Sequence, residues 1–553
     1  MRRRCGYGWL GILPAVLVFV VFSCNDTFME DEKQSVQESE GVWLNDILNQ
    51  LDLEAGIILV QNGESIQDAV QAAQPGNTIY IEPGTYKETL TIDKPDIRLM
   101  GLKLDDEGVV LENPGKAREA ISLNPENLSV DVANITFKNF EAGVGQTSPL
   151  KTKRIKRTSC VHESTREALG NGIAHYYYKL RVGFGEYDVV GLHRIVKENQ
   201  PYHPIRTKGD IFMIHGAPQD FDDIFLTAGA SVINEQTSAP FYLADMNIDV
   251  WGIDLGWTLV PEETSDFSFM DDWGLEKEID HTLAAMSVAR LIRGLTRQSF
   301  QRINMLGYCS GGLIVYGAAG RETQIHPILR HVKGIIPVDA YVLHDNATLH
   351  QVDCDAAAAY KASLDAGIYQ SEDGIMLAYL CNLALNQPDQ ASPIPDFDGL
   401  TNRQVVMMLG TSPNDPVTEW QFFGGTMDSF NYTDPARFFR LGVSLPPYMP
   451  NRMLYENYAV LCDPDDVTFD DHIGDIALPI LNIATGGGFG DISYYTPTMT
   501  SSSDIQNYMV SIPGMEKSED YAHADIWLGY DADEMLWSEL YAWLIEHTRP
   551  HRW

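Results

Sequence analysis

The chain has 553 residues, 44% hydrophobic and 21% charged, which is enough for two or more domains with sizeable cores. Its formal net charge of −38 makes a surface that repels phosphate backbones and anionic headgroups, which argues against nucleic-acid binding. No Cys or His spacing suggests a zinc site, so neither metal nor cofactor is expected.

At the start, Arg2-Arg3-Arg4 precede an apolar stretch at 10–22 that is too short to span a bilayer unaided. It ends in Val21-Phe22-Ser23-Cys24, which resembles the lipobox of bacterial lipoproteins. The resemblance implies loss of residues 1–23, diacylation of Cys24 and anchoring of the mature chain to a membrane face. Asn25, in place of an Asp, points to the outer membrane, so the expected location is the bacterial cell envelope. A plain secretory signal with a chance Cys is the alternative. Without Cys5 and Cys24, five thiols remain: Cys160, Cys309, Cys354, Cys381 and Cys462. Disulfides are permitted in an exported protein, and an odd count leaves one thiol free.

Residues 24–57 read as an acidic tether with one short helix near Trp43-Leu44 and Ile47-Leu48. Ile66, Ala69, Val70 and Ala73 then form one helical face, with Ser65 as N-cap and Pro75-Gly76 as the stop. Short strand-like runs follow at 78–81, 90–92, 97–100, 109–111, 121–123 and 135–137. The text Ser65-Ile66-Gln67-Asp68-Ala69-Val70, Pro75-Gly76-Asn77-Thr78-Ile79 and Pro83-Gly84-Thr85-Tyr86 resembles the cap and first rungs of a right-handed parallel β-helix of the pectin-lyase-like kind. That implies a small domain over 58–147. A solenoid needs about three stacked repeats to bury a core, so this one is expected to lean on its neighbour. Its expected role is structural, with a cell-envelope glycan contact as the alternative.

The basic run at 151–157 marks a linker, placed over 148–174. Beyond it, alternation around Tyr177 to Arg181 and Val189 to Arg194 predicts a hairpin. Strand and helix patterns then alternate to the C-terminus, which predicts a mostly parallel sheet covered by helices. A strand at 210–214 runs into His215-Gly216-Ala217-Pro218, another covers 248–254, and Trp273-Gly274 opens an amphipathic helix. Ile303-Asn304-Met305 leads into Leu306-Gly307-Tyr308-Cys309-Ser310-Gly311-Gly312 and a small-residue helix. A strand turning sharply into a helix, with Gly two before and two after a nucleophile, is a nucleophile elbow. The tight turn requires glycine at Gly307 and Gly311, and here the nucleophile is Cys309. Further strands are predicted at 334–339 and 480–484, the latter ending in Gly486-Gly487-Gly488-Phe489-Gly490-Asp491. Asp520-Tyr521-Ala522-His523-Ala524-Asp525 precedes a last helix over 534–546, with Trp537, Leu540, Tyr541 and Leu544 on its buried face.

Over 175–553 the chain resembles the α/β-hydrolase superfamily. Asp249-Val250-Trp251 and the stretch around His523 look like acid lipases, whereas Gly307-Tyr308-Cys309 with Gly311-Gly312 is similar to the polyhydroxyalkanoate synthase box. The chain order nucleophile, acid, histidine then implies a triad of Cys309, Asp491 and His523, with Asp339 as the second choice for the acid. The resemblance also implies an oxyanion hole from the N–H groups of Ala217 and Ser310, with His215 structural. A thiol beside an imidazole can form a thiolate–imidazolium pair and attack a carbonyl to give a thioacyl enzyme. Residues 344–472 are too long for a simple crossover and read as a cap rich in aromatic residues, including Trp420, Phe422 and Phe423. The expected activity is hydrolysis of a small-molecule or lipid ester, or of a thioester. The alternatives are an acyltransferase or polyester-related enzyme on this fold, and a non-catalytic glycan-binding envelope protein.

Overall fold

The computed structural model describes Leu44, Leu48, Leu51, Leu53 and residues 56–548, apart from 104–106, 125–127, 129, 145–160, 227–236 and 463–466. The leader, Cys24, the basic run at 151–157 and Cys160 lie outside the described residues.

The N-terminal strands build three short sheets whose pairings are all parallel. From Thr78–Ile81 onward the chain visits the sheets in rotation: Gly84–Tyr86 in the second, Leu90–Ile92 in the third, Ile97–Gly101 back in the first. Strands from successive circuits stack in register, as in Ile79↔Leu99↔Val132 and Val110↔Thr136. The inward residues, among them Ile79, Ile81, Leu90, Ile92, Leu99, Leu111 and Ile121, form one apolar cluster. The helix Ile66–Ala72 closes its end through Ile66, Ala69 and Val70, and Ser65 Oγ accepts the Asp68 N–H as its N-cap. This unit is joined to the rest of the chain. Leu59, Tyr80 and Leu102 share an apolar cluster with the central helices, and Glu82 accepts hydrogen bonds from Ser299 Oγ (3.2 Å) and the Phe300 N–H.

The second part is a ten-stranded sheet, whose main strands are numbered here in chain order. They are β1 (Val161–Gly170), β2 (Ile173–Arg181), β3 (Val189–Gln200), β4 (Gly209–Ile214) and β5 (Ile248–Asp254), then β6 (Ile303–Tyr308), β7 (Val332–Val338), β8 (Ile480–Thr485) and β9 (Ile505–Val510). The spatial order is β1-β2-β3-β5-β4-β6-β7-β8-β9. The first three pairings are antiparallel and the last five parallel. Central strands β4, β5 and β6 are buried at every residue, as expected of parallel strands covered on both faces. Leu275–Leu295, Gly311–Thr323 and Ser538–Thr548 are the principal covering helices. This is an α/β-hydrolase fold. The sheet begins earlier than the sequence suggests, because β1 occupies much of the span assigned to a linker over 148–174.

At the N-terminal ends of β4 and β5, Asp210 and Asp249 are fully buried among Arg194, Arg293 and Lys333. Arg194 makes a bidentate pair with Asp249 at 2.8 and 3.0 Å. The Asp-Val-Trp motif therefore secures the floor of the sheet and lies away from the elbow. Between β7 and β8 the chain inserts helices Ala347–Asp365, Asp373–Asn386, Asn402–Thr411, Pro435–Ser444 and Asn451–Ala459. A disulfide joins Cys354 to Cys462 across this insertion, and Cys381 is a buried free thiol inside it. Among the described residues, no helix is long and apolar enough to cross a membrane.

Candidate active site

The elbow forms where β6 turns into Gly311–Thr323, and Cys309 at its apex has φ +54°. That left-handed conformation costs energy in a non-glycine residue, and such strain collects at functional sites. Its neighbours explain the glycines. A Cβ on Gly307 would lie 2.1 Å from the Gly311 carbonyl oxygen, and one on Gly311 would lie 2.6 Å from the Ile214 carbonyl oxygen. Gly216 serves the same end from the opposite wall, since a Cβ there would meet Cys309 Cβ at 2.5 Å. The result is a half-buried thiol held against the loop that follows β4.

His523 lies on the loop before the last helices and is completely buried. Its Nδ1 is 2.7 Å from Asp339 Oδ2. Asp339 follows β7 directly, is itself fully buried, and adopts φ +44°. Its carboxylate also accepts the Thr485 N–H (3.0 Å), the Thr485 hydroxyl (2.9 Å) and the Phe489 N–H (3.2 Å). The acceptor-only carboxylate fixes a proton of His523 on Nδ1, and Nε2 is the nitrogen turned away from it. The carboxylate paired with His523 is therefore Asp339 and not Asp491, which sits exposed on the short turn Gly490–Tyr494 while the glycine-rich segment ahead of it wraps Asp339. A Cβ on Gly488 would fall 2.0 Å from Asp339 Oδ2, so the glycines at this point make room for the carboxylate.

His523 Nε2 makes no hydrogen bond of good geometry in the resting site, but Cys309 is close enough to act on the same ring. Burial opposes a charged imidazole. The electrostatic pull of neighbouring Cys309 and the bond to Asp339 outweigh it, and His523 is raised to about 9. His215 behaves differently. Burial lowers it to about 4, its Nδ1–H donates to the Gly216 carbonyl at 2.9 Å, and its Nε2 accepts the Leu255 N–H at 3.1 Å. Both ring nitrogens are occupied, so His215 is a brace for the loop.

The two assigned oxyanion donors, Ala217 and Ser310, do face one another. The Ala217 N–H donates to Ser310 Oγ at 3.0 Å, so this donor is engaged in the resting site. The Ser310 N–H makes no hydrogen bond among the described residues.

Aromatic side chains enclose the base. The rings of Tyr308, Trp420, Phe489 and Phe422 lie 4.6, 5.1, 5.4 and 5.9 Å from the His523 imidazole. Trp420 and Phe422 come from the inserted segment, whereas Phe423 packs with Phe430 and Phe438 in that segment's own core. The segment is bound to the histidine loop along its main chain. The His523 N–H donates to the Gln421 carbonyl (3.1 Å), the Ala524 N–H to that of Phe422 (2.8 Å), and the Gly424 N–H to Asp525 (2.8 Å). The sequence marked the aromatic residues of the insertion without showing which of them reach the site.

No protein-family model matches the chain, and no curated protein matches it. Solved structures do. The chain is similar to a Sulfolobus solfataricus protein assigned as a lipase, at 18% identity and TM-score 0.48, over 70% of this chain and 99% of that one. It is similar to a soluble variant of monoglyceride lipase from Saccharomyces cerevisiae at 13% identity and TM-score 0.36, over 73% and 99% of the two chains. A thermostable carboxyl esterase from Bacillus coagulans matches at 13% identity and TM-score 0.36, over 67% and 97%.

Proposed function

We propose that the protein is a hydrolase of carboxylic esters or thioesters that works through Cys309, His523 and Asp339. The single observation behind this reading is the buried His523–Asp339 pair, with its free Nε2 beside a thiol on a strained elbow. The Cys309 thiolate attacks the carbonyl carbon, and the oxyanion forms between the Ser310 and Ala217 N–H groups. The C–O or C–S bond to the leaving group then breaks, and the leaving group takes the proton from His523 Nε2. Water, deprotonated by His523, attacks the thioacyl carbon, which releases the acid and restores the thiol. The aromatic wall of Trp420, Phe422 and Phe489 suits an apolar acyl or alcohol group.

We place this enzyme in the bacterial envelope, tethered through Cys24. The Cys354–Cys462 disulfide supports an oxidising compartment. The stacked parallel circuits at 58–144 are read as a short β-helix-like accessory that is structural in role.

The test is a panel of aryl esters and thioesters of graded chain length, assayed with wild type and Cys309→Ala. Turnover by the wild type with loss in the variant, and an acyl mass on Cys309 trapped in His523→Ala, is the expected outcome. Equal rates from both proteins remove the nucleophile and the proposal with it.

A further inference from the structure

Beyond the elbow, a second group of chemically capable side chains lies at the junction of the antiparallel and parallel halves of the sheet. We propose that His175, His193 and Asp222 bind a divalent transition-metal ion of the zinc class, which clamps the loop after β4 onto strands β2 and β3.

His175 pairs with Ile195 across β2 and β3, so His193, two residues from Ile195, projects from the same face. The two imidazoles stack with centroids 5.1 Å apart, and His175 Nε2 is 2.9 Å from His193 Nδ1. Asp222 brings its Oδ1 to 3.6 Å from the same His193 Nδ1. The three donor atoms all lie within 4.8 Å of one another. Ligands bound tetrahedrally at about 2.0–2.1 Å stand roughly 3.3 Å apart. The Asp222 spacing already suits that, and the His–His spacing opens by a few tenths of an ångström once the hydrogen shared between the rings has gone.

The orientation of His193 is the second observation. Its Nε2 is 2.9 Å from Asp254 Oδ2, and a carboxylate accepts, so the ring proton sits on Nε2 and the Nδ1 lone pair points at the cluster. A ligating histidine whose other nitrogen donates to a buried carboxylate is the usual support of a metal site.

The position gives the ion a task. Asp222 opens the π-helical turn Asp222–Leu226, five residues after Ala217. Between them, Phe221 stacks on His193 at 4.4 Å and donates its N–H to Asp254 Oδ1 at 3.1 Å. An ion held here would fix the loop that carries the Ala217 donor. The other His-bearing triple, His350 with Cys354 and Cys462, is different because its sulfurs are spent in the disulfide.

The experiment uses the full chain, stripped with a chelator and titrated with Co²⁺ and Zn²⁺, with bound metal measured by atomic spectrometry. One ion per chain, a raised Tm with Zn²⁺, and visible cobalt bands of nitrogen and oxygen ligation are expected. Affinity should fall at least ~100-fold in His175→Ala and in Asp222→Asn. Asp222 has a side chain 42% exposed, so its variant tests the site even if His193→Ala does not fold. Absence of stoichiometric binding, or binding that both variants retain, overturns the proposal.

Discussion

The Ala217 N–H and the Ser310 hydroxyl are joined by a 3.0 Å hydrogen bond across the mouth of the elbow. An oxyanion that uses the Ala217 N–H must first displace this hydroxyl. A neutral hydrogen bond contributes on the order of 1 kcal/mol net, or about a fivefold change in rate. Ser310→Ala is therefore expected to raise kcat/KM by roughly two- to tenfold. A loss of more than about tenfold would show instead that the hydroxyl itself donates to the oxyanion.

The two candidate acids separate cleanly. Asp339→Asn removes the acceptor that fixes the His523 tautomer and should lower kcat by about 10²–10⁴-fold. Asp491→Asn alters an exposed turn and should stay within about twofold of wild type. Steady-state kinetics on both variants, with folding checked by near-UV circular dichroism, decides between them.

Glycine placement predicts a more local effect. Gly488→Ala would drive a methyl group to 2.0 Å from Asp339 Oδ2, whereas nothing lies within 4 Å of a Cβ at Gly108. The first variant should lose on the order of 10² in kcat, since small displacements at the reacting groups are costly. Gly108→Ala should be indistinguishable from wild type in the same assay.

Reduction should act on the insertion. The Cys354–Cys462 bond closes a loop of 108 residues, and losing such a link typically costs about 2–5 kcal/mol. Cys354→Ser with Cys462→Ser is expected to unfold at lower denaturant, and dithiothreitol should shift wild type toward the variant while leaving the variant unchanged.

Glu278 provides a pH signature. It is wholly buried on Leu275–Leu295 with neither carboxyl oxygen bonded, and burial raises it from 4.5 to about 8. The folded state thus holds a proton that the unfolded state gives up. The associated stability is complete below about pH 4.5 and is lost as pH rises through 8. Glu278→Gln should match wild type in acid and exceed it by on the order of 1–3 kcal/mol above pH 8. Denaturant titrations at pH 4.5 and 8.5 measure the difference.

Much of the architecture was written in local patterns. The run at 248–254 is β5 to the residue, and the Gly-x-Cys-x-Gly turn marked the apex of the elbow. Two edge strands carry no clear signal in the sequence, for a common reason. In Val161–Gly170 only Val161 and Leu169 are buried, and in Ile505–Val510 only Val510 is, so neither shows the apolar alternation of a half-covered strand. The charged residues of Val161–Gly170, Glu163, Arg166 and Glu167, also discourage pairing with other chains. The order of residues offers Asp339 and Asp491 alike as partner for His523, because both follow core strands. What separates them is three-dimensional: Asp339 adopts a left-handed backbone and receives three bonds from Thr485 and Phe489, none of which has a signature in the order of residues.

The strip at 420–424 belongs by sequence to the insertion, yet its main chain is stitched to His523 and Ala524. A wholesale swing of that covering would drag the base away from its carboxylate. Any opening of the covering that keeps the His523–Asp339 pair intact must therefore leave this strip in place.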